Sequence, residues 1–73
     1  MKLAEVPTVD SRPAGYRTLG YYRDVETDRA ALFEYHGHQV WIPKTALRFA
    51  EGHYHAPAWA IDSSKAHQER RRG

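Results

Sequence analysis

Four of the five histidines fall in two close pairs, His36 and His38 around Gly37, and His53 and His55 two positions apart. Residues two apart on a strand share a face, so each pair presents imidazoles that can chelate zinc. Four histidines with neither cysteine nor carboxylate are an unusual ligand set for a structural metal, and histidines also suit turns and exposed strands. The expectation is therefore no metal and no cofactor, with imidazoles that can make binding pH-sensitive.

Nucleophilic chemistry has little support. Ser11, Ser63 and Ser64 stand in polar, loop-like or helical surroundings, with no strand–turn–helix elbow around them. The glycines (15, 20, 37, 52 and 73) are scattered, so no loop cradles a phosphate. Asp24, Glu26 and Asp28 cluster in one reversal and read as solvated turn acids. Catalysis is not expected.

A set of aromatic and arginine residues is more suggestive. Tyr16, Arg17, Tyr21, Tyr22 and Arg23 share one extended segment, and any hairpin arrangement brings Trp41 and Arg48 near it. Neighbours on a strand point to opposite faces, so Tyr21 and Tyr22 cannot both be buried in one core. Exposed Tyr, Trp and Arg anchor protein interfaces and can also stack on unpaired bases. These seven residues are the expected partner-binding set. A second set lies at the end of the chain, where Lys65, Arg70, Arg71 and Arg72 form a short cationic arm suited to phosphates.

The elements that must hold these residues can be read from turn and strand signals. Pro7, Pro13 and Gly15 imply a loosely held N-terminus, with Leu3 to Val6 able to add an edge strand. Tyr16 to Val25 reads as a strand in which Gly20 marks a bulge. Ala30 to Tyr35 and Gln39 to Ile42 read as an antiparallel hairpin closed by His36-Gly37-His38 and stopped by Pro43. Ala46 to Ala50 and His53 to His55 read as two more strands around Glu51-Gly52. Pro57 suits the first position of a helix reaching about Gln68. The predicted core is Val25, Leu32, Val40, Ile42, Leu47, Trp59 and Ile61, with Phe33 or Tyr35 on whichever face is covered.

The fold class expected is α+β: an antiparallel sheet of four to five strands, a short C-terminal helix and a flexible basic tail. Residues 1–67 form one domain and 68–73 the tail. A chain of 73 residues buries only about 60% of its unfolded surface, which leaves little stability to set against a strained active site. Cysteine is absent and no apolar run is long enough to span a membrane or serve as a signal peptide, which points to the cytoplasm. Residues 1–64 carry seven Lys/Arg against eight Asp/Glu, whereas residues 65–73 carry four against one. A near-neutral body with a cationic end suits a protein surface better than a whole face laid on nucleic acid.

His38-Gln39-Val40-Trp41-Ile42-Pro43-Lys44-Thr45 resembles the Val-Trp-Ile/Leu-Pro-Lys-Ser/Thr signature of many small bacteriophage proteins, and Pro57-Ala58-Trp59 matches a Pro-x-Trp that follows it there. The likeness covers about residues 29–60. Physically, Trp41 and Trp59 are expected to pack the junction of sheet and helix, while Pro43 ends the strand. The overall pattern is also similar to small phage regulators of host RNA polymerase that inhibit initiation and suppress termination. That resemblance implies docking on the N-terminal region of the polymerase β′ subunit, loss of σ-dependent promoter engagement, and antitermination. The elongation factor NusA and nascent RNA are further candidate partners. Two other classes remain open: a small β-barrel that binds single-stranded nucleic acid, and a phage inhibitor of another host complex.

Overall fold

The structure, a computed structural model, describes residues 1–64. The expected cationic arm, Lys65 with Arg70, Arg71 and Arg72, lies outside the described residues. The fold is α+β. Six strands, β1 (Tyr16–Thr18), β2 (Tyr22–Glu26), β3 (Ala30–Tyr35), β4 (His38–Pro43), β5 (Arg48–Ala50) and β6 (His53–Pro57), precede a helix α1 that covers residues 58–64. They form two antiparallel three-stranded sheets, ordered β1-β6-β5 and β2-β3-β4, rather than one sheet of four to five strands.

The extra strand comes from a bend. The expected strand from Tyr16 to Val25 is one continuous segment whose two halves belong to different sheets. Leu19 N–H donates to Tyr54 C=O of β6 at 2.9 Å, whereas Gly20 N–H donates to Glu34 C=O of β3 at 2.8 Å. Successive residues of a strand point their amides to opposite sides, so this exchange of partners needs only one step along the chain. Glu34 N–H in turn donates to Tyr21 C=O at 2.8 Å, so two residues face one and the expected bulge is present. A Cβ on Gly20 would stand 2.8 Å from the Glu34 carbonyl oxygen, which only glycine avoids.

The hairpins follow from local rules. His36-Gly37 and Glu51-Gly52 both place two successive residues at positive φ, the type I′ geometry whose twist matches that of paired strands. Register alternation then puts Ala31, Phe33, Tyr35, Val40 and Ile42 on one face, so Phe33 and Tyr35 are both in the core. Val6, Leu19, Ala46, Leu47, Ala56, Ala60 and Ile61 complete it. Each large aliphatic or aromatic side chain buried there contributes roughly 1.5–3 kcal/mol. Leu32, opposite Trp41, is buried on the other face.

Four expectations need correction. Val25 is exposed, because a second irregularity sets Arg23, Asp24 and Val25 against Leu32 alone and holds Asp24 at φ 58°. Trp59 is 65% exposed and does not fill the sheet–helix junction. Pro57 ends β6, and the inward stripe is Pro57, Ala60, Ile61 and Ser64, spaced i, i+3, i+4, i+7, which leaves Trp59 outside. Lys44–Ala46 is a 3-10 turn, so β5 begins at Arg48, later than the predicted Ala46. Finally, the N-terminal segment is tied down: Val6 is buried, and Phe49 N–H and C=O bond to Pro7 C=O and Val9 N–H at 2.9 and 2.8 Å. The chain runs parallel to β5 at Thr8, while Leu3–Glu5 is a 3-10 turn, not a strand.

Two substitutions test this arrangement. Gly20→Ala should destabilise by about 1–3 kcal/mol, because its methyl meets backbone that cannot rotate away. Trp59→Ala should change stability by less than about 0.5 kcal/mol, as exposed positions do. Chemical denaturation of both variants measures the contrast.

Candidate binding surface

The bend creates a cleft. Beyond the Leu19–Tyr54 bond the two sheets part, and Thr18, Leu19, Gly20, Tyr21, Tyr22, Gly52, His53 and Tyr54 line a space of about 460 Å³. No Lys, Arg, Asp or Glu is among these residues. Aromatic rings beside it are held in a row: Tyr22 to Phe33 at 5.7 Å between centroids, Phe33 to Tyr54 at 5.3 Å and Tyr54 to Phe49 at 4.9 Å. Tilted ring pairs at such separations are favourable beyond their buried area. Tyr21, on the bulge itself, is 77% exposed and forms the rim.

The expected partner-binding set does not form one patch. Tyr21 and Tyr22 meet at the cleft, one outside and one half-buried, as strand alternation requires. Tyr16 and Arg48 are half-buried on the outer face of the β1-β6-β5 sheet, where Thr18, His55 and Arg48 stand side by side. The Arg48 guanidinium is occupied by the Thr45 and Leu47 carbonyls at 3.1 and 2.6 Å. Arg17 is exposed and donates to Tyr35 Oη at 3.3 Å; that bond, then the charge interaction with Tyr35 and lastly with Asp62, raises its pKa above the ordinary value. Arg23 and Trp41 belong to the other sheet, away from the core.

Of the two histidine pairs, His36 and His38 are both exposed, whereas the other is divided. His55 is buried between Thr18 Oγ1 on Nδ1 and Ala50 C=O on Nε2, both at 3.0 Å, whereas His53 is exposed beside the cleft. A carbonyl only accepts, so Nε2 carries the proton in that contact. Among the described residues no three His, Asp or Glu side chains converge as metal ligands. Ser64 serves the fold: its Oγ accepts from Trp41 N–H at 2.7 Å on the free edge of β4.

The sequence reading missed one electrostatic feature. Lys44 is 1% exposed, and its ammonium donates to Met1 C=O at 2.8 Å, Thr27 C=O at 2.6 Å and Glu26 Oε1 at 3.0 Å. Three donors meet three acceptors, the condition under which a buried charge is tolerated. Glu26 Oε2 accepts from Tyr22 Oη at 2.8 Å, so the clamp reaches the aromatic row. Its carboxyl is held below the usual value, first by the Lys44 hydrogen bond and then by Tyr22. Tyr22 is pushed up to about 12, chiefly by donating to that carboxylate. The signal available in the sequence was a lysine inside Val-Trp-Ile-Pro-Lys-Thr-Ala-Leu, an apolar context. Likewise Tyr54, between two histidines on a strand, could have been read as an inward ring.

The chain matches no known family model, and no curated protein or solved structure resembles it significantly. No helix among the described residues is long and apolar enough to cross a membrane.

The clamp makes two predictions. Lys44→Met should cost on the order of 2–4 kcal/mol, since it leaves two carbonyls without their ammonium donor. Glu26 has a lowered folded-state pKa, so its contribution is present above the unfolded value and lost as pH falls through the folded one. Melting temperature should therefore drop between about pH 5 and 3, less steeply in Glu26→Gln and at high salt.

Proposed function

We propose that the protein works by binding a macromolecular partner, and that it is a phage regulator docking on the N-terminal region of the host RNA polymerase β′ subunit. The observation that carries the binding reading is the cleft. It is recessed, free of charged side chains, backed by a fixed row of rings and rimmed by an exposed tyrosine. Such a site suits recognition of another surface, because rigid aromatic side chains lose little entropy on contact. The resemblance of Val40 to Thr45 and Pro57 to Trp59 to phage signatures supports a phage origin, and the likeness of the overall pattern to small phage regulators of host RNA polymerase supports the choice of partner. Occupying a polymerase surface needs no catalytic group: it can block σ-dependent promoter engagement and alter the RNA path, giving inhibition of initiation and antitermination. NusA and nascent RNA are secondary contacts in this reading, and the infected cell's cytoplasm is where it acts.

One observation favours a second reading. Tyr21, Tyr22 and Tyr54 around one space could stack unpaired bases, as in single-strand binders. The lack of cationic residues there among the described ones weighs against it, since phosphate contacts supply most of such affinity.

Affinity capture from bacterial lysate by the tagged full chain is the test. Recovery of polymerase through β′ is expected, reduced about tenfold or more by Tyr21→Ala. Recovery of no polymerase subunit would refute the assignment. Submicromolar binding to a single-stranded oligonucleotide that weakens steeply with salt would favour the second reading.

A further inference from the structure

The cleft is walled by backbone as well as by rings, and that backbone is incompletely paired. In an antiparallel ladder, alternate residues turn their N–H and C=O away from the partner strand. Glu34 bonds to Gly20 and Tyr21, so Tyr22 and Phe33 are the pair without mutual hydrogen bonds. The N–H and C=O of Tyr22 consequently point away from β3, on the side where the sheets part. On the opposite wall, Tyr54 C=O receives Leu19 N–H, but the reciprocal bond from Tyr54 N–H to Leu19 C=O is missing among the described residues. Donors and acceptors thus line both sides of the fork.

Two of the other edges are covered. The outer side of β4 is capped at Trp41 N–H by Ser64, and Pro43 has no amide to offer there. The outer side of β5 is occupied by Pro7 to Val9 through Phe49. Exposed edges invite pairing with other chains, and small sheets normally blunt them. Among the described residues the edge at Tyr22 is open, and it opens into a cleft that none of their charged side chains lines.

We propose that this fork takes an uncharged, extended peptide segment of a partner protein, which pairs with Tyr22 as an added strand. The inference rests on the binding reading above and names the chemistry of the occupant. Main-chain bonds to Tyr22 and to the Tyr54 amide would supply register. Tyr21 at the rim and the Tyr22 and Tyr54 rings would select uncharged side chains, which a wall lacking ionic partners accepts without leaving a charge unpaired. A nucleic-acid strand is the poorer fit, because no cation among the described residues lines the space to meet its phosphates.

The test uses the full chain labelled with nitrogen-15 and a set of capped, uncharged octapeptides in which valine or isoleucine alternates with threonine or serine. At least one peptide should shift the amide resonances of Tyr22 and Tyr54 saturably. N-methylation of its alternate amides on the paired side should weaken binding about tenfold or more, and on the other side much less. Tyr21→Ala should weaken it as well, while an oligothymidylate of similar length leaves these resonances in place. The proposal is overturned if no peptide moves those amides, if both N-methylated forms bind equally, or if the oligothymidylate moves them instead. Capture of polymerase by a chain that fails these peptide tests would remove strand pairing and leave the binding reading intact. Peptide pairing without polymerase capture would do the reverse for the partner.

Discussion

A carbonyl oxygen and a missing side chain set the shape of this molecule. Glu34 C=O stands 2.8 Å from where a Cβ on residue 20 would be, so the segment from Tyr16 to Glu26 bends this closely against β3 because glycine is there. The bend lets one stretch of chain give its first residues to β6 and its last to β3. Both sheets then close on the same core, with Leu19 buried at the crossover. The same bend ends the β1–β6 ladder at the Leu19–Tyr54 bond, and the sheets diverge beyond it. The cleft is therefore a consequence of how so short a chain makes two sheets from five extended stretches, not an addition to a finished fold.

A thin core needs its periphery fixed, and Lys44 does this at one end. Its ammonium gathers the first residue, the β2–β3 turn and the β4–β5 connection around a single charge. A buried ammonium is costly alone, but here each of its protons has an acceptor. Through Glu26 and Tyr22 the clamp runs into the ring row that backs the cleft. Packing thus links the charged end of the molecule to its uncharged recess. The rings that would meet a partner are held before it arrives, which lowers the entropy cost of contact.

Much of the fold was legible because its signals are local. Ala30 to Tyr35, Gly37 and the apolar residues up to Pro43 specify a hairpin by alternation and turn chemistry, and Glu51-Gly52 does so again. Gly20 was readable as a bulge, but not as the point where a strand changes sheets, since that depends on Glu34 and Tyr54, distant in sequence. Trp59 misled for a related reason. A tryptophan at an apolar-looking helix start suggests core, yet which side of a short helix faces inward is decided by Pro57, Ala60, Ile61 and Ser64 together. Of the expected interface residues, Tyr21 and Tyr22 fall at the cleft. Tyr16, Arg17, Arg23, Trp41 and Arg48 are distributed by register over other faces, and register is a property of paired strands, not of one segment. His53 and Tyr54 reach the cleft only through the pairing of β6 with β1.

Amide hydrogen exchange, followed residue by residue in the free protein, examines the open fork most directly. Gly20 and Leu19 amides, bonded to Glu34 and Tyr54, should exchange slowly, while Tyr22 and Tyr54 amides exchange rapidly although both residues lie in strands. Uniform protection across Leu19, Gly20, Tyr22 and Tyr54 would mean that the ladder continues past the bend, and that the cleft does not exist in solution.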